Sequence, residues 1–318
     1  MDNKAGAGNM EEMLRQTLKS IEALQAQTGA EDTDVLGELK EIESQLQALL
    51  LRQKDNRTPI ERVKMARRVE RPTTAYYIDA LLEEFVELKG DRTGQDDPAI
   101  IGGIGLFHGR PVTVIGHQKG RDTQENIHRN FGMPQPSGYR KVMRLMEQAE
   151  KFRRPILLFI DTPGAHCGIR AEEQGQAEAI ARCIRKGFML TVPVLSFVIG
   201  EGGSGGALAL GVADRVYMLE NSIYSIISPE GFASILWKDN TKSTEASAIM
   251  KLTSFDLYEG GIVDGIIDEP QAGADTAPEE VAEKIRHILV RDLKELDMLD
   301  PATRQSLRFH KYRIIGAL

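Results

Sequence analysis

Several absences narrow the reading of this sequence at once. It has two cysteines in 318 residues, Cys167 and Cys183. They form no C-x-x-C pair, so neither a zinc site nor a disulfide framework is indicated, and both are expected as reduced thiols. No apolar run reaches the ~20 residues a membrane-spanning helix needs, and the start, M-D-N-K-A-G-A-G-N, lacks the apolar segment of an export signal. The expectation is a soluble, cytoplasmic protein that makes no membrane contact. An excess of positive charge is also missing. Lys and Arg total 40 against 47 Asp and Glu, a net charge of −7, which argues against general binding to nucleic acid or anionic lipid. No short-period repeat indicates a solenoid. An ordinary 41% hydrophobic content supports one large core, with or without an appendage.

Glycine is what the sequence has in a telling place. Val192 to Ile199 is an apolar, β-branched-rich run of strand length, and Gly200-Glu-Gly-Gly-Ser-Gly-Gly206 follows it. Ala207 to Ala213 is small and apolar, which predicts a short, tightly packed helix. The expected unit is a buried strand, a Gly-rich turn over 200–206 using positive φ, and a helix whose free N–H groups point back at the turn. Such a turn stabilises negative charge, so it predicts an anion or oxyanion site.

The rest of the chain is arranged around that turn. Residues 1–9 read as a disordered tail. Met10, Met13, Leu14, Leu18, Ile21 and Leu24 fall at helical spacing, as do Val35, Leu39, Ile42, Leu46 and Leu49, with turn residues over Gly29–Asp34 between them. This predicts an N-terminal helical hairpin over 10–55, a scaffold rather than a site. Residues 56–98 read as linker and helix. The segment Arg57 to Arg71 holds six Lys/Arg against two Glu and is expected as a solvated basic face, and a helix is expected from Thr73 or Thr74 through Leu88. A β-hairpin follows, Ala99–Phe107 and Val112–Gln118 around His108-Gly-Arg-Pro111. Helices are expected over 137–152 and 171–188, with a strand over 155–160 between them. Strands over 215–219, 222–227 and 262–267 and helical pieces over 228–237 and 243–258 continue the pattern, and helices begin at Pro278 and Pro301. The strand-strand-helix pattern is not a clean β-α-β-α alternation. The core is expected over 99–270 and terminal helices over 271–318.

Four chemistries are weighed for the central turn. Gly200-x-Gly202-x-x-Gly205 with Glu220 twenty residues on satisfies a dinucleotide fingerprint formally, but hairpin strands and helices precede it where a self-contained unit is required. A phosphate loop fails, because no Gly-Lys-Ser/Thr closes the turn. Ser204, His166 and Asp161 are the residue types of a hydrolytic triad, but Gly202-Gly-Ser-Gly205 has the wrong spacing for G-x-S-x-G, and Asp161 reads equally as a cap of the Thr162-Pro-Gly turn. An oxyanion hole of backbone N–H groups needs only glycine at closest approach and a helix start, and both are present.

Seven ordered motifs make the reading specific. Gly116-His-Gln-Lys-Gly-Arg121, Arg129-Asn-Phe-Gly-Met-Pro134, Gly138-Tyr-Arg-Lys141, Phe159-Ile-Asp-Thr-Pro-Gly-Ala165, Ala171-Glu-Glu-Gln-Gly-Gln176, Ile199-Gly-Glu-Gly-Gly-Ser-Gly-Gly-Ala-Leu-Ala209 and Tyr224-Ser-Ile-Ile-Ser-Pro-Glu-Gly231 closely resemble the alpha subunits of bacterial-type acetyl-CoA carboxylase carboxyltransferases. The resemblance implies an α/β fold, the crotonase-like ββα superhelix shared with the Clp protease, carrying an N-terminal helical hairpin and C-terminal helices. It implies transfer of a carboxyl group from carboxybiotin, tethered on a biotin carboxyl carrier protein, to acetyl-CoA, giving malonyl-CoA for fatty acid synthesis. It further implies a beta subunit partner in an alpha2beta2 assembly, with biotin carboxylase in the wider complex and no metal in this chain. By motif, Gly205 and Gly206 would present amides to the biotin ureido oxygen. Gly202, Gly203, Ser204, Ala207, Gly164 and Ala165 would line the biotin cleft. Lys119 and Arg121 would serve as donors to a carboxylate or a CoA phosphate. The chain departs from the commoner pattern at His166-Cys167, where an aromatic-Pro pair is usual, and at Arg170, where a small residue is usual.

Overall fold

The computed structural model describes residues 57–316 continuously and selected positions between 13 and 50. The chain divides into two compact units, Met1–Thr58 and Pro59–Leu318. In the first, the described positions within 13–27 and 35–50 are helical, and Gln25 donates to Glu43 at 2.9 Å, joining the two stretches side by side. The expected tail, Met10 and the linker Gly29–Asp34 lie outside the described residues.

The second unit is built on an eight-stranded sheet: β1 (Phe85–Glu87), β2 (Ile100–Phe107), β3 (Arg110–His117), β4 (Ile156–Thr162), β5 (Val194–Gly203), β6 (Arg215–Leu219), β7 (Ile223–Ser225) and β8 (Gly265–Ile267). The order is β1-β2-β3-β4-β5-β6-β8, with β7 paired to β5. The first three strands are antiparallel and the rest parallel. The helices are α1 (Pro59–Ala66), α2 (Thr74–Leu81), α3 (Thr123–His128), α4 (Pro136–Lys151), α5 (Ile169–Glu173), α6 (Gln176–Met189), α7 (Ser204–Leu208), α8 (Pro229–Trp237), α9 (Ser243–Ile249), α10 (Ser254–Glu259), α11 (Pro278–Met298) and α12 (Pro301–Ile314).

Alternation along the strands sorts the core into two layers. Ile156, Leu158, Ile160, Val194 and Val198 pack with Tyr139, Val142, Leu145 and Cys183 of α4 and α6. Leu157, Phe159, Leu195, Phe197 and Ile199 face the other way, onto Tyr77 and Ile78 of α2 and Ile285, Leu289 and Leu293 of α11. Both faces being covered explains why β4 and β5 read as unbroken apolar runs. In the second layer Tyr77, Phe159, Phe197 and Tyr217 stack in a row with ring centroids 5.6, 5.6 and 5.7 Å apart.

The predicted hairpin is present, closed by His108 and Gly109, both at positive φ (49° and 70°), as a two-residue primed turn requires. Two predicted helices are corrected. The helix expected through Leu88 ends at Leu81. Leu82 turns extended, and Phe85–Glu87 becomes an edge strand lying so close on β2 that a Cβ on Gly103 would come within 2.0 Å of the Val86 carbonyl oxygen. The helix expected over 171–188 breaks into α5 and α6 at Gly175, whose φ of 80° no continuous helix contains.

The basic segment 57–71 is only partly a solvated face: Lys64, Arg67 and Arg68 are exposed, but two of its arginines turn inward. Arg62 and Arg71 are 3% and 4% exposed. Arg71 holds Glu269 through two nitrogens (2.7 and 3.0 Å) and donates twice to the Ile199 carbonyl. Ile199 is where β5 leaves β6, paired as far as Val198, and before it meets β7, paired from Glu201. A buried carbonyl between two partners needs a donor, and Arg71 supplies it. Arg62 pairs with Glu220 and Asn221. Sequence counting saw six charges but not the carboxylates that tertiary folding places opposite them.

Candidate active site

The site lies at the end of β5. The strand runs through Gly203, four residues past its expected end, and α7 begins at Ser204 rather than Ala207. The expected turn over 200–206 is therefore mostly strand and helix. None of its five glycines has positive φ; Ser204 does, at 53°. The glycines serve close approach instead. A Cβ on Gly200 would meet the Asp161 carboxylate at 2.4 Å, on Gly202 the Tyr224 ring at 2.8 Å, on Gly203 the Pro163 carbonyl oxygen at 2.1 Å, and on Gly206 the Ala165 nitrogen at 2.5 Å. The chain over 163–165 thus crosses the strand end at a distance that only glycine permits. Gly205 differs. Its Cβ would touch only Ile180, at an ordinary 3.6 Å, so nothing in the fold requires glycine there.

The crossing loop is fixed locally. Thr162 Oγ1 accepts from Gly164 N–H (3.0 Å) and donates to the Gly164 carbonyl (2.8 Å), and Gly164 takes φ 146°. Thr162, not Asp161, therefore holds the turn. Asp161 points at the neighbouring strand, where Oδ1 accepts from Glu201 N–H at 2.9 Å. Lys119 Nζ lies 2.8 Å from both Asp161 Oδ1 and Glu201 Oε2, and Arg67 reaches Glu201 at 2.8 Å and Glu230 at 2.8 Å. Burial opposes ionisation of Glu201, but Lys119 and Arg67 outweigh it and hold its carboxyl below the ordinary range. Both carboxylates nearest the turn are thereby charge-compensated.

No side chain caps α7, and its N-cap is Gly203. Helix geometry leaves the first N–H groups, through Gly206, without intrahelical acceptors, whereas the Ala207 amide is the first that can close onto Gly203. Ser204 is exposed. The fold brings Gly202, Gly203, Ser204, Gly205, Gly206 and Ala207 together with Gly164 and Ala165. Lys119 joins them through Glu201, its charge already engaged. Arg121 stands apart, its side chain 81% exposed and 3.5 Å from Glu125. Much of the basic stretch 117–154 is likewise paired internally, Arg140 with Asp91 and Lys141 with Asp96.

The triad does not assemble. No described hydrogen bond joins Ser204, His166 and Asp161, and Asp161 is engaged by Lys119 and Glu201. His166 Nδ1 is buried without a partner among the described residues. Cys167 is exposed and Cys183 buried, both free. Among the described residues no His/Cys/Asp/Glu group is arranged to hold a metal ion, and no helix is long and apolar enough to cross a membrane.

Sequence reasoning quoted two further residues without giving them a role. His117, at the end of β3, and Tyr139, on α4, are both fully buried, and neither His117 nitrogen nor the Tyr139 hydroxyl has a hydrogen-bond partner among the described residues. The hydroxyl lies 2.9 Å from where a Gly206 Cβ would stand. A polar residue embedded in an apolar strand-helix pattern was the available signal.

A parallel sheet edged by an antiparallel hairpin, with strand β5 shared between β6 and β7 and a glycine-bounded helix start at its end, is the crotonase-like fold. Solved structures share it. A transcarboxylase 12S structure with methylmalonyl-coenzyme A and methylmalonic acid bound superposes with a TM-score of 0.56 at 20% identity, covering 69% of this chain and 41% of its own. A Pseudomonas malonate decarboxylase heterodimer does so at 0.56 and 17% identity, covering 69% and 88%. At these identities the likeness speaks for the fold alone. The sequence goes further. The family described as acetyl co-enzyme A carboxylase carboxyltransferase-like matches residues 8–316. Proteins called acetyl-coenzyme A carboxylase carboxyl transferase subunit alpha are 50% identical in Synechococcus elongatus (89% of this chain, 86% of the relative) and 50% identical in Halalkalibacterium halodurans (97% and 95%). The chain belongs to the acetyl co-enzyme A carboxylase carboxyltransferase-like family.

Proposed function

We propose that this chain is the alpha subunit of an acetyl-CoA carboxylase carboxyltransferase. It works with a beta subunit in an alpha2beta2 assembly and accepts carboxybiotin from a biotin carboxyl carrier protein that a biotin carboxylase charges. The observation that carries the proposal is the uncapped start of α7 at Gly205 and Gly206, set against the 163–165 crossing loop. Carboxybiotin supplies the carboxyl group, and its departure leaves negative charge on the ureido oxygen.

The residues present fit such a group. A side chain at Gly205 would meet only Ile180 at ordinary contact distance, Ser204 is exposed, and no described side chain caps the first amides of α7. Asp161 and Glu201 are each ion-paired, Asp161 with Lys119 and Glu201 with Lys119 and Arg67, so neither faces an oxyanion at the turn as an unpaired carboxylate. The Gly205 and Gly206 amides stabilise the developing charge without offering a nucleophile or base. Ser204, Gly203 and the Gly164–Ala165 backbone shape the cleft. Preorganised donors of this kind are each worth about 2.7–4 kcal/mol of transition-state stabilisation. The acetyl-CoA side and its own oxyanion hole fall to the beta subunit.

The test is decarboxylation of malonyl-CoA dependent on biocytin, run with this chain alone, a beta subunit alone, and both. Turnover only in the mixture supports the proposal. No turnover in a folded, associated mixture overturns it.

A further inference from the structure

We infer that His117 and Tyr139 are positioning residues that hold the Gly206 peptide in its working orientation from behind. The inference rests on the proposed role of the Gly205–Gly206 amides and extends it to the layer beneath them.

Two adjacent glycines are a poor basis for a preorganised site. Each lacks the Cβ that restricts φ and ψ, and rigidity is what makes a backbone donor effective in catalysis. The surroundings of the two differ sharply. A Cβ at Gly205 would meet only Ile180, at an ordinary contact distance of 3.6 Å. Gly206 is enclosed: a Cβ there would lie 2.5 Å from Ala165 N, 2.8 Å from Gly164 C and 2.9 Å from the Tyr139 hydroxyl. The front of this enclosure is the crossing loop, and the back is Tyr139.

The carbonyl of Gly206 adds the second element. Beyond α7 the chain tightens. Leu210 N–H donates to Ala207 and Gly211 N–H to Leu208, so Leu210 does not serve Gly206 as a continuing α-helix would. His117 is the side chain beside the Gly206 and Phe159 backbone, and neither of its ring nitrogens has a hydrogen-bond partner among the described residues. Burial keeps the imidazole neutral, so it has one N–H to give, and burial keeps the Tyr139 hydroxyl protonated as a donor.

Two fully buried polar side chains therefore converge on one glycine with their hydrogen-bonding capacity unspent on any described group. Buried polar groups are ordinarily paired, and groups left long or misaligned in a resting site can tighten as charge develops. A small movement of the α7 start toward His117 gives the Gly206 carbonyl its missing donor. That bond fixes the Gly206–Ala207 peptide and thereby the segment carrying the Gly206 N–H. Neither side chain reaches solvent or substrate, so each acts through the glycine.

The experiment uses Tyr139→Phe, His117→Phe and His117→Gln in the assembled alpha–beta complex. Tyr139→Phe keeps the ring and its packing, so it folds whatever the hydroxyl does. Direct oxyanion donors are worth about 10²–10³ in kcat, and a group one layer behind is expected to cost about tenfold. Tyr139→Phe and His117→Phe should lower kcat of biocytin-dependent malonyl-CoA decarboxylation by roughly that factor with KM for malonyl-CoA unchanged, and His117→Gln, which keeps a donor, should recover part of it. Independently of turnover, amide hydrogen exchange over 203–209 should speed up in both Phe variants while exchange in β5 over 194–199 stays unchanged. Wild-type kcat and wild-type exchange in folded Tyr139→Phe would overturn the inference. If the wild-type complex does not turn over at all, the proposed function fails, and the exchange comparison alone then decides whether these residues hold the turn.

Discussion

The two ends of strand β5 are finished in opposite ways. At its start, Arg308 of α12 is fully buried and spends its guanidinium completely. It binds both Asp214 oxygens at 2.8 Å and the carbonyls of Gly187, Leu190 and Val192, while Asp214 also takes the Val194 N–H. At its other end, nine residues on, the chain carries a serine at positive φ, a helix start that no described side chain caps, and two buried polar side chains without partners among the described residues. The same strand ends once in saturation and once in unmet hydrogen-bonding capacity. A fold places its unsatisfied groups where charge is to be received and compensates with satisfied ones elsewhere.

The largest expected effect breaks the saturated end. Arg308→Met leaves Asp214 buried without its partner and should lower unfolding free energy by about 3–5 kcal/mol in denaturant titrations. The protein that remains folded should keep its kcat. At the other end the order reverses. Gly206→Ala forces a Cβ onto Ala165 N and should reduce biocytin-dependent turnover by about 10²–10³. Gly205→Ala fits without displacement and should stabilise the fold by up to about 1 kcal/mol while still lowering turnover, because the new methyl stands where the ligand approaches. A Gly205→Ala enzyme with full turnover would remove Gly205 from the site.

The next effect depends on pH. Burial pushes His117 down to about 3 from an ordinary 6.5, against the opposing pull of the Gly206 and Phe159 carbonyls. Between those values the unfolded chain binds a proton that the folded chain refuses. This contribution to stability is complete above pH ~6.5 and is lost as pH falls, at up to about 1.4 kcal/mol per unit. His117→Gln should flatten the stability curve between pH 6 and 4 relative to wild type; parallel curves would show that His117 titrates normally in the fold. The smallest effect concerns Ser204. Ser204→Gly relieves a left-handed φ of 53° and should stabilise by about 1 kcal/mol with turnover retained. Loss of turnover on Ser204→Ala would give the hydroxyl a chemical role that its surroundings do not suggest.

Much of this molecule was legible before folding. The apolar runs of β4 and β5, the hairpin around His108-Gly109, the helix expected from Ser137, the helix starts at Pro229, Pro278 and Pro301, and the glycine cluster at the end of β5 are all local signals, and all mark real elements. The errors fall where a distant residue decides. The helix expected to Leu88 lost its last two turns, and Phe85–Glu87 pair instead with Gly103–Gly105 of β2. Arg62 and Arg71 of the basic segment 57–71 lost their solvent to Glu220 and Glu269. Glycines expected to supply positive φ supply close approach instead, because what crosses them, at Pro163 and Ala165, lies about forty residues earlier in the chain.

By itself, the sequence determined most of the strands and helices, that a glycine-bounded helix start follows the central strand, and that the motifs are those of one carboxyltransferase family. Those properties reside in hydrophobic period, turn chemistry and residue order, which are short-range. Only the tertiary structure decided that Lys119 is engaged by Asp161 and Glu201, that Gly205 is free of the fold's demands while Gly206 is not, and that His117 and Tyr139 are fully buried, with the Tyr139 hydroxyl set against Gly206. Burial and pairing are properties of what is brought together across the sheet, and long-range contact is what converts a residue type into a charged, neutral or positioning group.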